Sequence, residues 1–382
     1  MIGVSMNYRL GQLGFLAHPA LAAESTDHAS GNYGFLDQVA ALRWVHDNIA
    51  AFGGDPTNVT IFGESAGGMS VCGHLVSPLS AGLFAQAIME SGPCGSPMQT
   101  SAEAEAQGVR FATLLGCTTG DVPACMRAAS SATIVATLGS APAIFSTDPM
   151  YASWGPTIDG HAFTTDWITS MEAGDAADVP ILAGWNRDEG TLFLALGEMN
   201  GEPPITDLNY RARVAALVGD ANADAVIARY PSSAFGGDAR AAAARAMGDA
   251  GLICPARAAV VALRTAGNTV HAYLFAYPDA DFLLGASFPL GAFHSAEVQF
   301  VFGHSMGPAF DADELALNAA MSGYWTRFAA QHGDPNASGT LPSWPAYDAT
   351  GARVVLDRAI TTGTDDYADT CAFWDGIPLP RG

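Results

Sequence analysis

Ser65, in Gly63-Glu-Ser-Ala-Gly67, has the residue type and the spacing for nucleophilic chemistry. A hydroxyl is a weak nucleophile until a base takes its proton, and it must stand where a substrate can reach it. A serine between small residues meets the second need when it joins a strand to a helix, because the sharp turn leaves its Oγ at the tip. The β-branched run Val59 to Phe62 precedes it, and small residues that open a helix through Val76 follow. This pattern predicts a buried strand that breaks at Gly63, with Gly63 and Gly67 kept small by the turn. Glu64 is expected beneath the turn as a buried, hydrogen-bonded acid. Backbone N–H groups at the helix start, Ala66's among them, would face an oxyanion formed at the serine.

With 42 glycines in the chain, the five-residue pattern recurs by chance. Gly303-His-Ser-Met-Gly307 places Ser305 in the same frame. There Pro308 follows, with Asp311, Asp313 and Glu314 soon after, which predicts a loop and a new helix start. Too little chain remains beyond Ser305 for an acid and a histidine in the order Ser, acid, His. Ser65 is therefore the candidate nucleophile. For its base and acid, two strands matter. Val179 to Trp185 ends in Asn186-Arg-Asp-Glu-Gly190, and Thr269 to Tyr277 is followed by a loop carrying Phe293-His294-Ser295. Side chains just past the C-terminal ends of strands are where α/β enzymes build sites. His294 stands in such a loop, whereas His271 is inside a strand and His332 ends a helix. Asp188 and Glu189 are equally good acids by position alone.

The elements that must hold these groups alternate. Ile2 to Tyr8 reads as a strand. Leu36 to Phe52 reads as a helix with Leu42, Val45, Ile49 and Phe52 on one face, stopped by Gly53-Gly-Asp-Pro56. The strand at Ser65 and its helix follow, then a short strand Ala87 to Glu90. Residues 100–150 read as helical. Residues 206–266 read as helical too, their Arg/Ala/Asp alternation suggesting a solvated surface. A helix from Asp313 to about Gln331 and a late strand, Val354 to Leu356, close the series. Strand–helix–strand alternation implies a parallel α/β sheet. We read residues 1–382 as one domain with a helical insertion.

Composition narrows the function. Sixteen basic residues, all Arg, against 38 acidic give a formal charge of −22, which argues against nucleic acid as a partner. At 49% hydrophobic the chain can bury a sizeable core, and no run of about 18 apolar residues suggests a membrane span. The six cysteines form no CxxC or Cys/His zinc pattern, and no signal peptide is visible. No metal or cofactor is expected.

Seven segments, in order, resemble the type B carboxylesterase family, the cholinesterase-like esterases and lipases. They are Asn7-Tyr-Arg-Leu-Gly11, Gly31-Asn-Tyr-Gly34, Phe52-Gly-Gly-Asp-Pro56, Gly63-Glu-Ser-Ala-Gly-Gly68, Asn186-Arg-Asp-Glu-Gly190, His294-Ser-Ala-Glu297 and Gly333-Asp-Pro-Asn336. The resemblance implies an α/β-hydrolase fold and a serine esterase acting on small neutral carboxylic esters. It implies Glu189 as the acid, His294 as the base and Ala66 as an oxyanion donor. It also implies disulfides Cys117–Cys125 and Cys254–Cys371, leaving Cys72 and Cys94 free, and hence a secreted or periplasmic protein. The family carries a His-Gly-Gly-Gly-like segment ahead of the Asn-Tyr-Arg strand, and this chain opens after that point. We therefore read it as a member lacking its N-terminal strands and remaining oxyanion donors. Its first strand should then be split from the Ser65 strand by a gap or paired directly with it, and low solubility is expected. Two alternatives stay open: an inactive truncated fragment, or a non-catalytic binding or adhesion relative.

Overall fold

Among the described residues six strands form one sheet, and its order follows the sequence: β1 (Thr60–Glu64), β2 (Gln86–Glu90), β3 (Ile181–Asn186), β4 (Val270–Phe275), β5 (Arg353–Leu356) and β6 (Thr361–Gly363). The first five run parallel, and β6 turns back antiparallel on β5. This is a computed structural model that describes residues 1–138, 154–280, 285–337, 339 and 341–379. Parallel neighbours need crossover segments, and helices supply them. Every residue of β2, β3 and β4 is buried, as strands covered on both faces must be. Alternation sends Ala87 and Met89 into one core layer and Ile88 into the other, with Glu90 following Ile88 onto its face.

Before the sheet, α1 (Tyr33–Asn48) buries Leu42 and Val45, and a 3₁₀ turn over Ile49–Phe52 ends at Gly53 with φ +82°. The tighter turn keeps Ile49 buried but swings Phe52 out to 64% exposure, where it meets Trp44. So Phe52 leaves the buried face expected of it. α2 (Ala66–Val76) follows β1, and β1 itself continues through Gly63 to Glu64 rather than breaking at the glycine. After β3 come α3 (Gly190–Met199), α4 (Ala239–Gly248) and α5 (Cys254–Ala266), the last two joined by a π-turn at Asp249–Ile253. By length and composition the stretch Ala239–Ala266 could cross a membrane, but most of it is buried inside the molecule. α6 (Ala312–Ala330) opens on a capping box formed by Asp311 and Glu314.

Three expectations change here. Residues 2–8 form no strand, and all but Tyr8 are exposed. Extended chain becomes strand only when its N–H and C=O groups meet a neighbouring edge. None does so here: the segment neither pairs with β1 nor stands across a gap from it as a strand, and β1 is the terminal strand of the sheet. Residues 206–266 are helical, and Arg211, Asp220, Asp224, Arg229 and Asp238 are solvated as expected, but the layer also has a buried face. Tyr210, Val214, Val218, Val226 and Ala242 through Ala244 are buried, and so is Asp249, which pairs at 2.9 Å with the partly exposed Arg245. Residues 100–138 carry three helices, and 139–150 lie outside the described residues.

Cys117–Cys125 and Cys254–Cys371 are disulfides, with Cα separations of 5.7 and 5.2 Å, inside bridging range. The second ties the start of α5 to the C-terminal helix Ala368–Asp375. Cys72 and Cys94 are not free: they form a third bridge, Cα to Cα 6.0 Å. Backbone contact between α2 and the turn after β2 brings them together, and no sequence spacing reveals that. Thiol titration of denatured, unreduced protein should therefore find no free thiol. Two would free Cys72 and Cys94 again, and six would mean a reduced protein.

Candidate active site

Ser65 joins β1 to α2 with φ +57° and ψ −117°, a conformation that L-residues rarely adopt. Its N–H donates to the Glu90 carbonyl at 2.8 Å, and its carbonyl accepts the Met69 N–H at 2.9 Å. Close backbone packing enforces the turn. A Cβ on Gly63 would lie 2.4 Å from the Gly67 carbonyl carbon. One on Gly68 would lie 2.8 Å from Gly92 Cα and 3.0 Å from the Glu90 oxygen. A Cβ on Gly67 meets open space, so the demand for a small residue falls on Gly63 and Gly68 and not, as expected, on Gly67. The Ala66 N–H stands in the first turn of α2, and no hydrogen bond reaches it among the described residues.

The histidine arrives on a loop pinned to the turn after β3. Asp188 N–H donates to the Ala292 carbonyl, and Ala292 N–H returns to the Asp188 carboxylate, both at 2.9 Å. Thr191 Oγ1 donates to the Leu290 carbonyl at 2.7 Å. Asp188, which also pairs with Arg187 at 2.9 Å, thus faces the loop backbone. It is Glu189 that meets His294, Oε2 to Nδ1 at 2.6 Å. Glu189 Oε1 accepts the Asn186 N–H at 2.7 Å, and Asn186 Nδ2 donates to Phe293 O at 2.7 Å and to the Glu297 carboxyl. Both partners of the central pair are buried, His294 at 4% exposure and Glu189 at 1%. The Phe193 ring lies 5.1 Å from the imidazole.

The other edge of His294 holds a difference. Nε2 faces Glu64 Oε1 at 3.2 Å, and Ser295 Oγ donates to the same oxygen at 2.7 Å. No hydrogen bond links Ser65 Oγ to His294 among the described residues. Glu64 is partly exposed and lies beside the imidazole rather than beneath the turn. The structure thus brings Glu189, His294 and Glu64 together and leaves Ser65 at the tip without a base in contact. Ser305 sits in a loop past Phe302, its Oγ bonded to the Pro308 carbonyl.

These contacts set the charge of the imidazole. Burial alone would lower the His294 pKa. The charge and hydrogen bond of Glu189, with the charge of Glu64, outweigh burial and raise it above 6.5. Burial raises Glu64, against the opposing pull of His294 and Ser295. A buried imidazole with a carboxylate on Nδ1 and a reachable Nε2 can accept a proton from a hydroxyl and return it to a leaving group. Sequence reasoning missed Asn186, Thr191 and Glu90, which act through backbone contacts, and gave Asp188 no role as a loop clamp. The Asn-Arg-Asp-Glu-Gly string held that signal, since a second acid beside the first needed a separate partner. Among the described residues no group of three His, Cys, Asp or Glu side chains is placed to hold a metal.

Comparison with known proteins gives the family of the chain. The profile of the carboxylesterase family matches residues 1–374. A fumonisin B1 esterase of Sphingopyxis macrogoltabida is 34% identical over 375 residues, covering 95% of this chain and 65% of that protein. An acylcarnitine hydrolase of Mus musculus is 34% identical over 390 aligned positions, covering 98% of this chain and 66% of that protein. The chain thus spans just under two thirds of the length of these curated relatives.

The glycine contacts yield a paired test. Gly68→Ala should destabilise by about 1–3 kcal/mol, since only backbone can yield to its methyl. Gly67→Ala should be neutral or stabilising by up to about 1 kcal/mol, as in an open helix position. Urea midpoints compare the two, and equal losses would contradict the packing described.

Proposed function

The chain belongs to the carboxylesterase family, whose α/β-hydrolase fold it shares, and on that premise we propose that it hydrolyses carboxylic esters through Ser65, His294 and Glu189. The observation that carries this reading is the buried 2.6 Å pair of Glu189 and His294 beside a serine held at φ +57°. Ser65 Oγ attacks the ester carbonyl while its proton passes to His294 Nε2. Glu189 holds the Nδ1 proton and stabilises the imidazolium. The oxyanion points at the N–H of Ala66 and the positive end of α2. Collapse expels the alcohol, which takes the proton from Nε2, and leaves an acyl-enzyme. Water attacks by the same path and frees the acid. For the first step the imidazole must exchange Glu64 for Ser65 at Nε2. The two relatives, an esterase and a hydrolase by name, fit an ester as substrate. Three disulfides support an oxidising compartment, and we assign the protein to the secreted or periplasmic class.

A second reading, a relative that binds without turnover, draws on the occupation of Nε2 by Glu64. Assays separate the two. On p-nitrophenyl esters of rising acyl length, Ser65→Ala should lose on the order of 10⁴–10⁶-fold in kcat, and Ser305→Ala should match wild type. Wild-type turnover in Ser65→Ala would remove Ser65 from the mechanism, and no turnover on any ester would favour the binding relative.

The charge of His294 gives a pH test. Only the neutral imidazole is a base, and the carboxylates favour the imidazolium. The acid limb of kcat/KM should therefore lie above pH 6.5, the ordinary value. Glu64→Gln removes one of the two raising charges, so the limb should move to lower pH. A limb that stays in place would show that Glu64 does not act on the base.

A further inference from the structure

Ser295 follows the base directly and holds a conformation that serine seldom takes. Residues 293–296 form a turn closed by the Ala296 N–H on the Phe293 carbonyl at 3.0 Å. His294 and Ser295 are its central residues, and Ser295 sits at φ +70°. At the third position of a turn such a φ favours glycine, which has no Cβ to clash. A serine there is strained, and strain kept beside a reacting group points to a use for the side chain. The turn itself needs no hydroxyl, because backbone groups alone close it.

That hydroxyl leaves the loop and reaches the end of β1. Ser295 Oγ donates to Glu64 Oε1 at 2.7 Å, and the same oxygen stands 3.2 Å from His294 Nε2. Glu189 occupies the other ring nitrogen, Nδ1, at 2.6 Å. A contact between Nε2 and a carboxyl oxygen needs one proton between them, since two lone pairs repel. The pair is then an imidazolium facing a carboxylate, or a neutral imidazole facing a carboxylic acid. A donor on the carboxyl oxygen favours the carboxylate. The Ser295 hydrogen bond therefore weighs toward the imidazolium, the form that cannot take a proton from Ser65.

Few groups set this balance. Glu189 faces the imidazole from the turn after β3, Glu64 faces it from β1, and Phe193 of α3 brings an apolar ring to 5.1 Å. Around Glu64 stand Glu90, its register partner on β2, Glu297 of the histidine loop and Tyr273 of β4, each of which feels its charge. Among the described residues no arginine ion-pairs with Glu64. Burial raises the Glu64 carboxyl, and the charge of His294 and then the Ser295 hydrogen bond oppose that rise. Burial lowers the His294 imidazole, and Glu189 and then Glu64 raise it.

We infer that Ser295 is a positioning residue for the base: its hydroxyl holds the Glu64 carboxylate against His294 Nε2 and so favours the charged imidazole at rest. This rests on the reading of His294 as the base of ester hydrolysis. Without the hydroxyl, Glu64 loses the donor that favours its charge and the tie that fixes its oxygen beside the ring. The imidazolium is then held less firmly, and His294 becomes a base at lower pH.

The test follows the His294 resonance by NMR across pH in histidine-labelled protein, assigned by its loss in His294→Gln, and needs no turnover. Ser295→Gly removes the hydroxyl together with the strain, whereas Ser295→Ala removes the hydroxyl alone. Both should lower the His294 midpoint by about 0.3 unit or more, a hold on the proton weaker by about twofold. Glu64→Gln removes the carboxylate, and adding Ser295→Gly to it should move the midpoint no further. A merely structural serine would shift the midpoint equally on both backgrounds, and an effect of strain would separate Ser295→Gly from Ser295→Ala. Either result, or an unmoved midpoint in Ser295→Gly, would overturn the inference. Should Glu64→Gln not fold, the agreement of Ser295→Gly with Ser295→Ala decides. On p-nitrophenyl esters below the wild-type acid limb, Ser295→Gly should raise kcat/KM by about twofold or more, which damage to the turn would not do. An equal or lower kcat/KM there counts against it. A Ser295-dependent titration in a protein that turns over no ester would sink the hydrolytic reading and leave the hold of Ser295 on the charge of His294.

Discussion

Backbone packed directly on backbone is the constraint on which the site depends. β1, α2 and the turn after β2 approach so closely that Gly63 abuts Gly67 and Gly68 abuts Gly92. No side chain fits between them. Ser65 is left in a conformation that costs of order 1–3 kcal/mol, and it stays there because both of its backbone groups are hydrogen-bonded. The same approach sets Glu90 beneath the serine and Cys72 beside Cys94. One close contact thus fixes the exposure of the hydroxyl, the frame of the helix that follows, and the acid below.

The second feature is an excess of carboxylate around a single imidazole. Parallel strands deliver their loops to one end of the sheet, so groups far apart in the chain converge there. Glu64 and Glu90 come from adjacent strands, Glu189 from the next turn, and Glu297 from the histidine loop itself. Burial makes each unpaired charge costly. The pair formed by Glu189 and His294 relieves one. Glu64 finds Ser295 and the other edge of the ring, and Glu90 and Glu297 are raised by burial toward the neutral form. The imidazole is thereby held in orientation on both nitrogens, and its basicity is tuned by how many of its neighbours carry charge.

Away from the site, covalent and ionic ties hold the chain's far end. The Cys254–Cys371 bridge secures the last helix to α5. Arg353, at 2% exposure, pairs with Asp365 and Asp366, and Asp365 also takes Arg257. Trp374 Nε1 donates to Tyr230 Oη at 2.8 Å, and that oxygen reaches Asp249 at 2.9 Å. These contacts tie the alanine-rich stretch at 206–266 to the C-terminal segment. Its buried alanines, Ala239, Ala242, Ala244 and Ala259 among them, permit close helix packing.

The sequence by itself determined what depends on local chemistry. Short apolar and β-branched runs placed five of the six main strands, and the small residues around Ser65 placed the turn and its helix. The alternation of elements gave the parallel sheet, and the Asp-Glu and Phe-His-Ser segments marked the loops that meet. It erred where a residue's fate depends on a distant partner. Residues 2–8 have strand composition but pair with no edge. Phe52 has helical spacing but falls on a tighter turn. Cys72 and Cys94 are remote in spacing and adjacent in space. Asp188 and Glu189 were equivalent by position, and only the fold turned one to the loop backbone and the other to the imidazole. Glu64 was read beneath the turn because sequence carries no record of which charges will surround it. Periodicity is written in neighbouring residues, whereas pairing, burial and charge balance are set by the crossing of strands and loops, and those the tertiary structure alone decided.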